Sequence, residues 1–141
     1  MPVIGINLTS LTATAERKNF SGNISVNSSP AIESVEKKDI EFSVIKDVLT
    51  VGFRFTTTYE PNVGEIAMEG ELLYQNDKTK DILNRWKKER KLDDDVAAEI
   101  YNAIFRKCLT KTVDISQELR LPLPIQFPFV VPKDAVASKG K

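Results

Sequence analysis

The alternation of apolar and polar positions is sharpest in the middle of the chain. Leu49, Val51, Phe53, Phe55, Thr57 and Tyr59 take every second position, with Thr50, Arg54, Thr56, Thr58 and Glu60 between them. That is the period of a strand with one face buried and the other in water. Pro61, Asn62 and Gly64 supply a turn, and Ile66, Met68, Gly70, Leu72 and Tyr74 restart the alternation at once. The two runs predict an antiparallel hairpin with Phe53, Phe55, Met68 and Leu72 on its covered side. Upstream, Ile4, Ile6 and Leu8 alternate, as do Leu11, Ala13 and Ala15. The change of parity between Leu8 and Leu11 predicts a bulge or bend in a first strand. Asn19 to Asn23 reads as a turn into a second strand, carried by Ile24 and Val26 and resuming at Ile32. Pro30 suits an edge strand or an interruption there.

After Tyr74 the period becomes helical. Asp77 can cap a short helix with Ile82, Leu83 and Trp86 on its apolar side, and Leu92 followed by Asp93 to Asp95 marks the start of a second, longer one. Negative charge at that start suits the helix dipole. From about Asp94 to Leu119 the longer helix carries two apolar stripes. Ile100, Ile104, Cys108, Ile115 and Leu119 form one, and Phe105, Leu109 and Val113 form the other at i, i+4, i+8. One stripe covers the sheet. The other needs the shorter helix or another subunit, so Phe105, Leu109 and Val113 are the candidate oligomer interface. Leu121 to Pro132 reads LPLPIQFPFVVP, whose four prolines exclude a helix and a central strand. The expected fold class is α+β: a four-stranded antiparallel sheet followed by a short and a long helix packed on one face. Residues 1–132 are expected to form a single domain, and 133–141 a flexible, lysine-containing tail.

Composition narrows the function by exclusion. Twenty Lys+Arg balance twenty Asp+Glu, and no stretch interleaves basic residues with the aromatics that would stack bases, so nucleic acid is not an expected partner. The basic cluster from Arg85 to Lys91 reads as a solvated helix face. One cysteine and no histidine leave no ordinary zinc or haem ligand set, and Cys108 is expected in the core. Triads with a histidine base are impossible, and the six glycines are scattered singly, with no phosphate-cradling loop. No apolar run is long enough to insert into a membrane, and MPVIGINLTS has no basic leader, so a cytoplasmic protein is expected. Glu65, Glu69 and Glu71 share the solvent face of the hairpin's second strand. They make either a solubilising face or an acidic docking strip. A flat exposed face gives no burial to separate their pKa values for acid-base work, so neither an enzyme nor a cofactor is expected.

Two segments carry a resemblance: GELLYQ at Gly70 to Gln75, and IFRKCLTKTVDISQELRLPLPIQFP at Ile104 to Pro128, where a long helix with Arg106, Cys108 and Leu109 runs into a Leu-Pro exit. With the order of elements, they make the chain similar to the SecB export-chaperone superfamily, and more specifically to its uncharacterised archaeal branch. The resemblance implies a dimer-of-dimers assembly, hence a homo-oligomer (dimer or tetramer), and ATP-independent binding of unfolded or partly folded polypeptides. It likens the Glu65, Glu69, Glu71 face to the acidic face that the bacterial chaperone offers to its motor ATPase. The tail lacks the metal-binding cysteines and histidine of the bacterial tail, so the resemblance favours chaperoning over export. Trp86, Phe127 and Phe129 are the candidate polypeptide-binding aromatics, adaptable apolar area with little sequence preference. The alternative is a non-catalytic binding module for one dedicated protein or small-molecule partner on the same scaffold.

Overall fold

The computed structural model describes residues 3–16, 22–38, 47–128 and 130–132. Strands β1 (Val3–Ala15), β2 (Ser25–Lys38), β3 (Val48–Glu60) and β4 (Gly64–Tyr74) are followed by helices α1 (Thr79–Glu89) and α2 (Asp94–Glu118). The strands form one antiparallel sheet in the order β1-β4-β3-β2. This is the expected α+β architecture, with β3 and β4 central and β1 and β2 at the edges.

The hairpin behaves as its alternation requires. Val51, Phe53, Phe55, Met68 and Leu72 are almost completely buried under the helices, whereas Arg54 points to water. The parity change in β1 is a register shift between Leu8 and Ser10 opposite Gly70 and Glu69, which returns Leu11 and Ala13 to the pattern. β2 runs without interruption through Pro30, which sits opposite Phe55. An edge strand turns every other N–H away from its neighbour, so a proline can stand there without costing a ladder bond. The Asn19 to Asn23 turn falls largely outside the described residues, as do Phe129 and the tail 133–141.

Helix α1 does not begin as expected. Lys78 is its N-cap and makes no side-chain capping bond. Asn76 Oδ1 instead accepts from the Lys78 backbone N–H at 2.7 Å, and the Thr79 hydroxyl donates to the Asn76 carbonyl at 3.1 Å. An Asx turn therefore replaces the Asp77 cap. Ile82 and Trp86 are buried as the spacing predicts.

Helix α2 buries Val96, Ile100, Ile104, Cys108, Thr112 and Ser116. The row advances strictly by four residues and so winds around the helix as an i±4n ridge, which a twisted sheet accepts. Ile115 and Leu119 are only half-buried. Thr112 and Ser116 bury their hydroxyls at little cost, since each donates to a carbonyl of its own helix, Cys108 at 2.7 Å and Val113 at 2.8 Å. The C-terminus closes in a Schellman arrangement: Arg120 adopts φ 56°, its N–H reaches the Gln117 carbonyl, and the Leu121 N–H reaches Ser116 O at 2.8 Å. Leu121 is buried against Gly64, where an added Cβ would lie 3.1 Å from the leucine side chain.

Candidate functional site

Both helices cover the same sheet face, yet no Cα atom of α1 comes within 8 Å of one in α2. Instead of a helix pair, the two form separate walls over the sheet. The space between them is a trough of about 480 Å³, lined by Ile32 of β2, Trp86 of α1, Leu92 of the connection, and Ala97 and Tyr101 of α2. Its apolar residues reflect local geometry. Ile32 shares the inward parity of β2 with Val26, a register shift after Ile32 brings Val35 to the same face, and Trp86 follows Ile82 by one helical turn. Tyr101 begins the row that continues through Phe105, Leu109 and Val113, each half-buried.

The rim at the α1 exit is basic. Arg90 ends α1 with φ 57°, its N–H bonded to the Trp86 carbonyl, and its guanidinium lies 5.7 Å from the Trp86 ring centroid. A cation over the indole face is a favourable contact. Arg85 is committed elsewhere, bonding Glu89 at 3.1 Å and also Asp93. Those partners hold its pKa above the ordinary arginine value, Glu89 contributing most. Asp94, the one acid lining the trough, sits in the first turn of α2, where the helix dipole favours it.

The proposed site residues lie on several surfaces. Trp86 lines the trough and is 7% exposed. Phe127 stands on the extended exit at 47% exposed, with Leu123 and Ile125 also open to water. That exit leaves from the C-terminal end of α2, whereas Trp86 lies beside its N-terminal turns, and Phe127 does not line the trough that Trp86 lines. Phe105 is held within the chain by an edge-on contact with Phe55, centroids 5.6 Å apart. Leu109 packs beside the core, and Val113 is half-buried one turn further on. Glu65, Glu69 and Glu71 share the outer sheet face with Arg54, whose Nη1 donates to Glu69 Oε1 at 2.7 Å. This pair is exposed on both sides and adds little stability, but it places a cation in the middle of the acidic strip.

Sequence reasoning missed Ile32 and Tyr101. A signal existed for Tyr101, which precedes Phe105 by four residues and extends its stripe. For Ile32 the signal was only its inward parity.

Elsewhere, a groove of about 800 Å³ runs between β1 and α2, lined by Val3, Ile6, Ala103 and Thr110 with Arg106 and Lys107 at its edge. Among the described residues, no three His, Cys, Asp or Glu side chains converge as metal ligands, and no helix is long and apolar enough to cross a membrane. Cys108 is fully buried, and burial pushes its thiol up to about 11. Tyr74 is pushed up to about 12, first by burial and then by Glu99, whose carboxylate accepts from its hydroxyl at 3.3 Å. The Tyr59 hydroxyl is also buried. Ser116 is a polar neighbour, but the tyrosine completes no bond of proper geometry with it; burial raises its pKa.

No family model and no curated protein matches the chain. Among solved structures it is similar to the SecB-like chaperone Rv1957 of Mycobacterium tuberculosis, determined in complex with a ChAD peptide from the Rv1956 HigA1 antitoxin. The identity is 17%, the match covers 92% of this chain and 91% of that one, and the TM-score is 0.54. The likeness is one of fold, and it makes the fold SecB-like.

Proposed function

We propose that the protein is an ATP-independent holdase that captures non-native polypeptide segments. The observation that carries this reading is the trough between α1 and α2, where Ile32, Trp86 and Tyr101 line a space that the chain's own helices leave open. The helices pack on the sheet but not on each other, and the space between them is lined by these apolar residues together with Arg85, Arg90, Lys91 and Asp94. The fold likeness to a chaperone solved with a bound peptide supports the same reading. The protein acts in the cytoplasm as a binding protein, without catalysis or a cofactor. Its finer placement in the archaeal branch rests on the GELLYQ and IFRKC segments.

Assembly belongs to the same proposal. β1 is an edge of thirteen residues with no charge and no proline, whereas the opposite edge, β2, carries Pro30, Glu33, Glu36, Lys37 and Lys38. Long uncharged edges are what monomers avoid. In our reading β1 and the half-buried Leu109 and Val113, beyond the Phe105 that packs on its own sheet, face other subunits in a dimer or tetramer. The outer face with Glu65, Glu69 and Glu71 remains available to a basic folded partner.

The test is aggregation suppression. Equimolar protein without nucleotide should keep several unrelated, chemically unfolded proteins from scattering light. Suppression of one client alone would favour the dedicated-partner module, and suppression of none would end the holdase reading.

A further inference from the structure

We infer that the trough selects polypeptide segments in which apolar or aromatic side chains are flanked by Asp or Glu. This rests on the trough being the polypeptide-binding surface and goes beyond it by naming what the surface prefers. The apolar walls specify only that the occupant be apolar; the rim adds a sign.

Of the three cations lining the trough, Arg85 is already paired with Glu89 and Asp93. Arg90 and Lys91 form no ion pair with the described residues. Both belong to the segment where α1 turns into α2, directly beside Trp86 and Leu92. Lys87 and Lys88, in the last turn of α1, extend the positive potential outward and are likewise unpaired. Against these stands Asp94, held at the N-terminus of α2. An apolar segment entering the trough therefore meets two cations that have no ion-pair partner among the described residues. A flanking carboxylate gains from them, and a flanking ammonium is repelled. The Arg90 backbone fixes this polarity, because its left-handed conformation turns the chain and leaves the guanidinium over the indole face.

The experiment uses three fluorescein-labelled peptides sharing one Leu/Phe core, flanked by Glu, Gln or Lys, titrated with the full-length protein by fluorescence anisotropy. The expected order is Glu tightest and Lys weakest. Two exposed attractions in one peptide against two repulsions in the other amount to about tenfold in Kd between them. The gap should shrink in 0.5 M salt. An Arg90→Asn, Lys91→Gln variant should reduce the gap to about twofold; asparagine tolerates the left-handed conformation. Arg90→Lys, which keeps the charge, should preserve the gap. Equal binding of the three peptides, or a gap that survives in the double neutral variant, overturns the inference and leaves polypeptide binding intact. Failure of all three to bind overturns both.

Discussion

Phe105 of α2 meets Phe55 of β3 edge-on, with ring centroids 5.6 Å apart and planes at 84°. The contact divides the helix's second stripe into two parts of different use. Phe105 is tied to its own sheet, while Leu109 and Val113, further along the helix, are half-buried. Phe105→Ala should therefore lower stability by about 2 kcal/mol, below the cost of a fully buried phenylalanine, read as a shifted urea midpoint. Leu109→Asp separates packing from assembly. We expect a smaller particle by light scattering, with the helical signal retained. An unchanged mass with a lower midpoint would assign Leu109 to the internal core.

Two glycines of the sheet should respond differently to alanine. A Cβ on Gly70 would lie 2.3 Å from the Asn7 carbonyl oxygen and 2.7 Å from the Phe53 ring, atoms fixed by the β1 ladder and the core. A Cβ on Gly52 meets the Ser34 hydroxyl at 2.3 Å, a side-chain tip that can rotate away. Gly70→Ala should cost about 3 kcal/mol or fail to fold, and Gly52→Ala under about 1 kcal/mol. Thermal unfolding of the two variants side by side checks the contrast.

What the sequence made legible follows from the range of each signal. The hairpin and the bulge in β1 are local, because a period of two and a parity change within thirteen residues need no knowledge of partners. The short helix and its Trp86 were legible for the same reason. The Asp77 cap was misread because Asn76, one residue earlier, competes for the same backbone donors. Thr112 and Ser116 escaped the core stripe because hydropathy cannot show that their hydroxyls are satisfied within the helix. The trough was not legible at all. It depends on the distance between two helices, a tertiary quantity, and Ile32 and Tyr101 acquire their role only from that distance.

Stability should fall at alkaline pH, with the sign set by three buried protons. The Cys108 thiol at about 11, the Tyr74 phenol at about 12 and the raised Tyr59 phenol all keep their protons in the folded state to higher pH than in the unfolded chain. Above the thiol's ordinary value of 9.0 the unfolded state binds fewer protons than the native state, so their contribution, intact at lower pH, is lost between about pH 9 and 12. Each group steepens that loss by at most about 1.4 kcal/mol per pH unit. Urea midpoints measured from pH 7 to 11 should decline, beginning near 9. Cys108→Ala should delay the onset, and a midpoint that rises over this range would contradict the assignment. Native Cys108 should also resist thiol reagents at pH 8 until the protein unfolds.

The last prediction separates the two surfaces on which a client could lie. The trough offers Ile32, Trp86 and Tyr101 on rigid elements; the Leu-Pro exit offers Leu123, Ile125 and Phe127, each at least 38% exposed, on a segment held chiefly through Leu121. Rigid apolar walls lose less entropy on binding than an extended strap does, so they should supply most of the affinity. Tyr101→Ser removes half-buried area from the trough without opening the core. We expect it to abolish most aggregation suppression while lowering stability by no more than about 1.5 kcal/mol. Phe127→Ser removes an exposed ring from the exit and, combined with Phe129→Ser, should leave both stability and the greater part of suppression in place. Scattering assays with two unrelated clients, paired with thermal melts of each variant, decide the matter. If the phenylalanine pair proves the more damaging to suppression at unchanged stability, the exit segment is the capture surface, and the trough serves another ligand or none.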